Sequence, residues 1–207
     1  MPKIEDLKRR EFFRAGLRKV TQTAVNEVDM VAQQRAQHWF RPPYALDELE
    51  FLMTCTRCGA CIEACPHDLI FALPPRLGAS VINTPALNLL HQGCHLCADW
   101  PCVQVCEANA LQQLIKEDSS KEDSSEISIP LPHLAFVSID TQICLPYLGP
   151  ECGACAHSCP VPGALCWVGA QPHIKSDICV GCGLCREACI VEPKAIRIQS
   201  LYRFTEN

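Results

Sequence analysis

Seventeen of the 207 residues are cysteine, and sixteen of them fall into four groups that share one closing step. The first group reads Cys55-x2-Cys58-x2-Cys61-x3-Cys65 and is followed by Pro66. The second is Cys94-x2-Cys97-x4-Cys102-x3-Cys106, with Pro101 inside the widened gap. The third, Cys144-x7-Cys152-x2-Cys155-x3-Cys159, takes its first member from a longer loop bearing Pro146, Gly149 and Pro150. The fourth returns to the regular Cys179-x2-Cys182-x2-Cys185-x3-Cys189. Thiolate sulfur is a soft, charged donor, so cysteines at these spacings point to metal ligation. An odd total leaves no complete pairing into disulfides. Tetrahedral zinc sites are built from two separated pairs, which gives no reason for a third cysteine followed by an x3 step.

The spacing that does fit is the run used for iron–sulfur clusters in bacterial ferredoxins. Three thiolates on a tight loop take three corners of one cluster, and the fourth serves a neighbour. Gly59 lets the backbone approach the cluster, and Pro66 is expected to stop a short helix carrying the fourth cysteine. Sixteen ligands imply four [4Fe–4S] clusters. If adjacent groups exchange their fourth members, Cys55, Cys58 and Cys61 share a cluster with Cys106, and Cys94, Cys97 and Cys102 with Cys65; the last two groups would exchange Cys189 and Cys159. A nested arrangement, first group with fourth and second with third, uses the same sixteen residues.

The chemistry such ligands support is one-electron transfer. No Ser-His-Asp arrangement, glycine-rich phosphate loop or carboxylate pair stands out, so a catalytic role is not expected. The net charge of −5 is unevenly spread: residues 1–41 carry nine Lys and Arg against five Asp and Glu, and the remainder nine against eighteen. Each oxidised cluster brings about +2 against four thiolates, which together add about −8. So acidic a body is unsuited to nucleic acid and implies a redox partner with a basic docking face.

The elements that must hold these cysteines are short. Each group is expected to form a loop, a short helix carrying the last cysteine, and an apolar segment suited to a strand: Leu69-Ile70-Phe71, Ala110-Leu111, Ala164-Leu165 and Ala195 to Ile198. Four such units form a repeat architecture of α+β class, read as two ferredoxin-like dicluster modules, residues 42–115 and 131–207. Between them, residues 116–130 contain Lys116-Glu117-Asp118-Ser119-Ser120 followed by an identical copy, a low-complexity loop too polar to bury. Ahead of them, residues 1–41 form an arm. Phe13, Leu17, Val20, Ala24, Val28 and Val31 step by three or four, predicting one amphipathic helix from residue 4 to about 38, ended by Arg41-Pro42-Pro43. This arm is expected to dock a partner, with folding back onto its own acidic body as the alternative. The longest uncharged stretch, Leu77 to Ala98, is broken by Asn83, Pro85, Asn88, His91, Gln92 and Gly93, so no transmembrane segment is expected. Cys166 belongs to no group and reads as a packed, inert thiol. His95 and His157 sit inside cysteine loops, and Trp100 and Trp167 are expected to cover clusters from solvent.

At these residues the chain resembles the MauM/NapG family of ferredoxin-type proteins. The resemblance rests on Cys94-His95-Leu96-Cys97-Ala98-Asp99-Trp100-Pro101-Cys102, on the long first gap of the third group, and on the ending from Cys179 to Glu192. It covers roughly residues 41–200. Arg41-Pro42-Pro43 is also similar to the related NapF proteins. The resemblance implies four [4Fe–4S] clusters on the sixteen cysteines. It also implies a place in membrane-linked electron flow, as subunit or partner of a reductase or a quinol-linked complex; the alternative is a NapF-like accessory role in cytoplasmic maturation of a molybdenum nitrate reductase. Members of the NapG type open with a twin-arginine export signal, and Lys8-Arg9-Arg10-Glu11-Phe12-Phe13-Arg14 resembles its core. Arg18, Lys19, Glu27 and Asp29 then stand where an apolar region should follow. A cytoplasmic location is therefore expected, with export to the periplasm as the alternative.

Overall fold

In the computed structural model, residues 25–113 and 130–202 are described. Most of the predicted N-terminal helix and nearly all of the duplicated low-complexity loop lie outside them. What is described of the arm is α1, helical over 25–36, and it ends on the body. Ala36, Trp39 and Phe40 are buried, Phe40 forms a bridge with Leu87, and Ser200 donates its hydroxyl to the Ala36 carbonyl at 2.8 Å.

Two halves of similar plan follow. In the first, α2 (Glu48–Thr54) leads into Cys55, α3 (Ala60–Glu63) and β1 (Ile70–Ala72), which pairs antiparallel with β2 (Pro85–Leu87). The second cysteine group then carries α4 (Pro101–Gln104), and Leu111 returns to bridge Ala45. In the second half, β3 (Phe136–Ile139) precedes α5 (Leu145–Leu148), and the β4 (Leu165–Val168) and β5 (Gln171–Ile174) hairpin joins the two cysteine groups. After α6 (Leu184–Ala188), β6 (Ile196–Gln199) pairs back on β3, Ile139 opposite Ile196. Each half thus closes by pairing the chain before its first group with the chain after its second. The Ala110-Leu111 segment makes only that single bridge and no strand.

The one-turn helices sit one step earlier than expected. α3, α4 and α6 carry Cys61, Cys102 and Cys185, the third cysteine of each group, while the fourth lies at or beyond the helix end. Near Cys65 the reason is local: a residue before proline avoids helical backbone, so the helix must stop ahead of it. The third group has a turn in place of this helix, and its extra helix α5 opens directly after Cys144, with Pro146 in its first turn where no amide is missed.

Arg41-Pro42-Pro43, which ends the arm, is packed into the body as an anchor. Pro42 and Pro43 are fully buried, and Arg41 is 7% exposed. Its guanidinium donates to both oxygens of Glu48, at 2.8 and 2.5 Å, and to Thr84 Oγ1 and the Pro85 carbonyl at 3.0 and 2.9 Å. Trp39 Nε1 donates to the same carboxylate at 3.3 Å, and the guanidinium lies over the Phe51 ring. A charge taken out of water needs this completeness of pairing.

Four cysteine quartets form the candidate metal centre

The sixteen grouped cysteines meet in four cavities, one quartet to each. Cys55, Cys58, Cys61 and Cys106 line the first. Cys94, Cys97, Cys102 and Cys65 line the second. The third is lined by Cys144, Cys152, Cys155 and Cys189, and the fourth by Cys179, Cys182, Cys185 and Cys159. Each quartet takes three members from one group and the fourth from its neighbour. The backbone therefore adopts the adjacent exchange and not the nested one. Cys166 lies on β4 outside all four, its thiol directed at the His173 carbonyl at 3.6 Å.

The loops are built by backbone in the left-handed region at equivalent positions. Two residues past the first cysteine of the first, second and fourth groups stand Arg57, Leu96 and Gly181, with φ of 60°, 50° and 75°. At each, the main-chain amide turns back to donate to the cysteine sulfur, Cys55, Cys94 and Cys179 respectively. Ahead of the helices, Gly59, Trp100 and Gly183 repeat the same conformation at the N-cap. Glycine adopts it freely; Arg57, Leu96 and Trp100 adopt it at a cost of about 1–3 kcal/mol each, as constrained functional backbone does.

Enclosure disfavours the ionised form of these cysteines. Burial pushes the thiols of Cys61, Cys102 and Cys185 up to about 12, and those of Cys94 and Cys182 to about 11, with the neighbouring cysteines adding to the shift. They stay neutral thiols on their own, and ionising all four as ligands would need positive charge among them. Among the described residues no three His, Cys, Asp or Glu side chains converge as ligands of a single metal ion. The quartets surround cavities instead, the arrangement a multi-metal cubane requires. One further donor fits. Trp167 lines the third cavity, and its Nε1 is buried with no acceptor. A buried N–H left unpaired costs about 1–3 kcal/mol, and cluster sulfur would satisfy it.

Trp100 lines the second cavity, buried beneath Tyr44, whose ring meets it edge-on at 5.0 Å. His95 stacks on His67 at 3.7 Å beside the same quartet, while His157 is exposed. His67 and Tyr44 carry no spacing signal and were not readable beforehand. Only their contacts across the fold mark them. No described helix is long and apolar enough to cross a membrane.

Known proteins agree with this chemistry. The family described as "4Fe-4S binding domain" matches residues 52–71. The chain is 32% identical over 209 residues to the methylamine utilization ferredoxin-type protein MauM of Methylobacillus flagellatus, covering 94% of this chain and 85% of that one. It is 29% identical over 209 residues to the ferredoxin-type protein NapG of Escherichia coli, covering 93% and 86%. The ferredoxin-type protein NapF of the same organism is 29% identical over 163 residues, covering 76% and 84%.

Proposed function

Because the chain belongs to the MauM/NapG family of ferredoxin-type proteins, we propose that its sixteen quartet cysteines hold four [4Fe–4S] clusters and that it carries single electrons between redox partners without catalysing a reaction of its own. The observation that carries this reading is the exchange of fourth cysteines, which lines each of four cavities with four thiols. When bound, such clusters supply one-electron oxidation and reduction at potentials set by hydrogen bonding and exposure.

The chain's own residues do the rest. The cysteines enter as thiolates, so loading a site releases protons. The amides of Arg57, Leu96 and Gly181 place partial positive charge against ligand sulfur. Trp100 and Trp167 screen the second and third sites from water. The partners are redox proteins of a reductase or quinol-linked membrane system, drawn by the negative charge of the loaded body, and the protein works in the cytoplasm.

The test is to follow the anaerobically purified protein through a reductase cycle. Its visible absorbance should bleach when a donor is added and return when the acceptor is supplied, with electron paramagnetic resonance signals of reduced [4Fe–4S] centres in between. The accessory role in reductase maturation requires neither bleaching nor recovery during turnover. Binding to an immature reductase without either would favour it.

A further inference from the structure

The fourfold repeat makes the four sites look like two independent pairs, but the contacts between halves do not. Resting on the cluster reading above, we infer that the fold strings the quartets in one line, first, second, fourth, third, so that the second and fourth meet at the junction of the halves and the first and third lie at opposite ends.

The inner link is main chain to main chain. The Cys94 amide, from the second quartet, donates to the carbonyl of Cys182, from the fourth, at 2.7 Å. Beside it the Gly93 amide donates to the Glu187 carboxylate at 2.7 Å, and Arg186 Nε donates to the Leu90 carbonyl at 3.0 Å. A methyl group on Gly93 would lie 2.6 Å from the Leu184 amide nitrogen, so the two ligand loops touch with no room for a side chain. No water layer separates them.

The outer links are equally direct. α3, bearing Cys61 of the first quartet, packs on α4, bearing Cys102 of the second. At the other end, Cys185 of the fourth quartet packs in one apolar cluster with Cys144, Cys189 and Cys155 of the third. That cluster draws all its described members from residues 137–196, whereas cysteines of the first, second and fourth quartets share the main core. Among the described residues, the apolar cluster of the third quartet includes a cysteine of the fourth and none of the first half.

The order is tested on the full chain by removing sites in turn and reading magnetic coupling between the remaining reduced centres. Variants Cys55→Ala/Cys58→Ala and Cys144→Ala/Cys152→Ala remove an end site, and iron analysis should report a loss of about four irons of sixteen from each. After reduction with europium(II), neither should show an isolated, unbroadened spectrum, since the three remaining sites stay contiguous. Variant Cys65→Ala/Cys97→Ala removes an inner site and should release one unbroadened signal, from the first quartet. An unbroadened signal from either end-site variant overturns the order, as does its absence from the inner-site variant. Should one end-site variant fail to fold, the other still decides, because two independent pairs would leave the partner of the removed site isolated and unbroadened. A wild-type protein without iron overturns the cluster reading itself, a result distinct from full iron with the wrong coupling pattern.

Discussion

Arg41 grips Glu48 through both carboxylate oxygens, at 2.8 and 2.5 Å, in a site where the arginine is 7% exposed and the glutamate 0%. The pair ties the segment leaving α1 to the start of α2, the helix whose last turn holds the Cys55 amide on the Phe51 carbonyl at 2.8 Å. Removing one partner strands a buried charge. Arg41→Ala should therefore destabilise the loaded protein by about 3–5 kcal/mol, read from denaturant unfolding, whereas Arg41→Met with Glu48→Leu should cost far less. Equal losses for the single and double variants would show that packing, and not charge pairing, holds this anchor.

That anchor marks the limit of what is legible from residue order. The sixteen cysteines stand out because cluster ligation demands fixed local spacing, which no other use of cysteine imitates. Their partition into quartets depends on where the chain crosses in space, so spacing left adjacent and nested pairings equal. Arg41-Pro42-Pro43 looked like a break because its partners Thr84 and Pro85 lie more than forty residues on. The x3 spacing does not say whether helix or turn reaches the fourth cysteine, so the short helices sit a step earlier than that spacing alone suggests.

The left-handed positions respond differently to substitution. A methyl on Gly181 would lie 2.1 Å from the Ala135 carbonyl oxygen, and its φ of 75° disfavours any side chain. Gly181→Ala should cost about 1–3 kcal/mol or more in thermal unfolding and loosen the fourth site. Leu96, at the equivalent turn with φ of 50°, is already strained. Leu96→Gly should be neutral or stabilising by up to about 1 kcal/mol. A large loss from Leu96→Gly would mean that its side chain, and not its amide, maintains the second site.

Trp167 lines the third site, and its buried Nε1 has no protein acceptor, so cluster sulfur is the expected acceptor. Such a bond favours the more negative, reduced state. Trp167→Phe keeps the ring and removes the donor, a loss of about 1 kcal/mol. At 59 mV per tenfold change for one electron, that lowers one midpoint potential by about 40 mV and leaves the other three in place. A potentiometric titration followed by electron paramagnetic resonance reads this directly; four unchanged midpoints would show that the indole only fills space.

Cys166 lies outside every quartet. Cys166→Ala should leave iron content and reduced-state spectra as they are and change stability by no more than about 1 kcal/mol, the effect of trimming one small half-buried group. Loss of a whole cluster in that variant would mean that the third site draws a different ligand.

The central claim, that sixteen cysteines hold four [4Fe–4S] clusters, is tested most directly by measuring iron and acid-labile sulfide in the full chain purified without oxygen. Four cubanes on the four quartets predict about sixteen irons and sixteen sulfides per chain, in a brown protein whose colour bleaches on reduction. A colourless protein carrying about four zinc ions, or a preparation that never exceeds about eight irons after reconstitution, would contradict it.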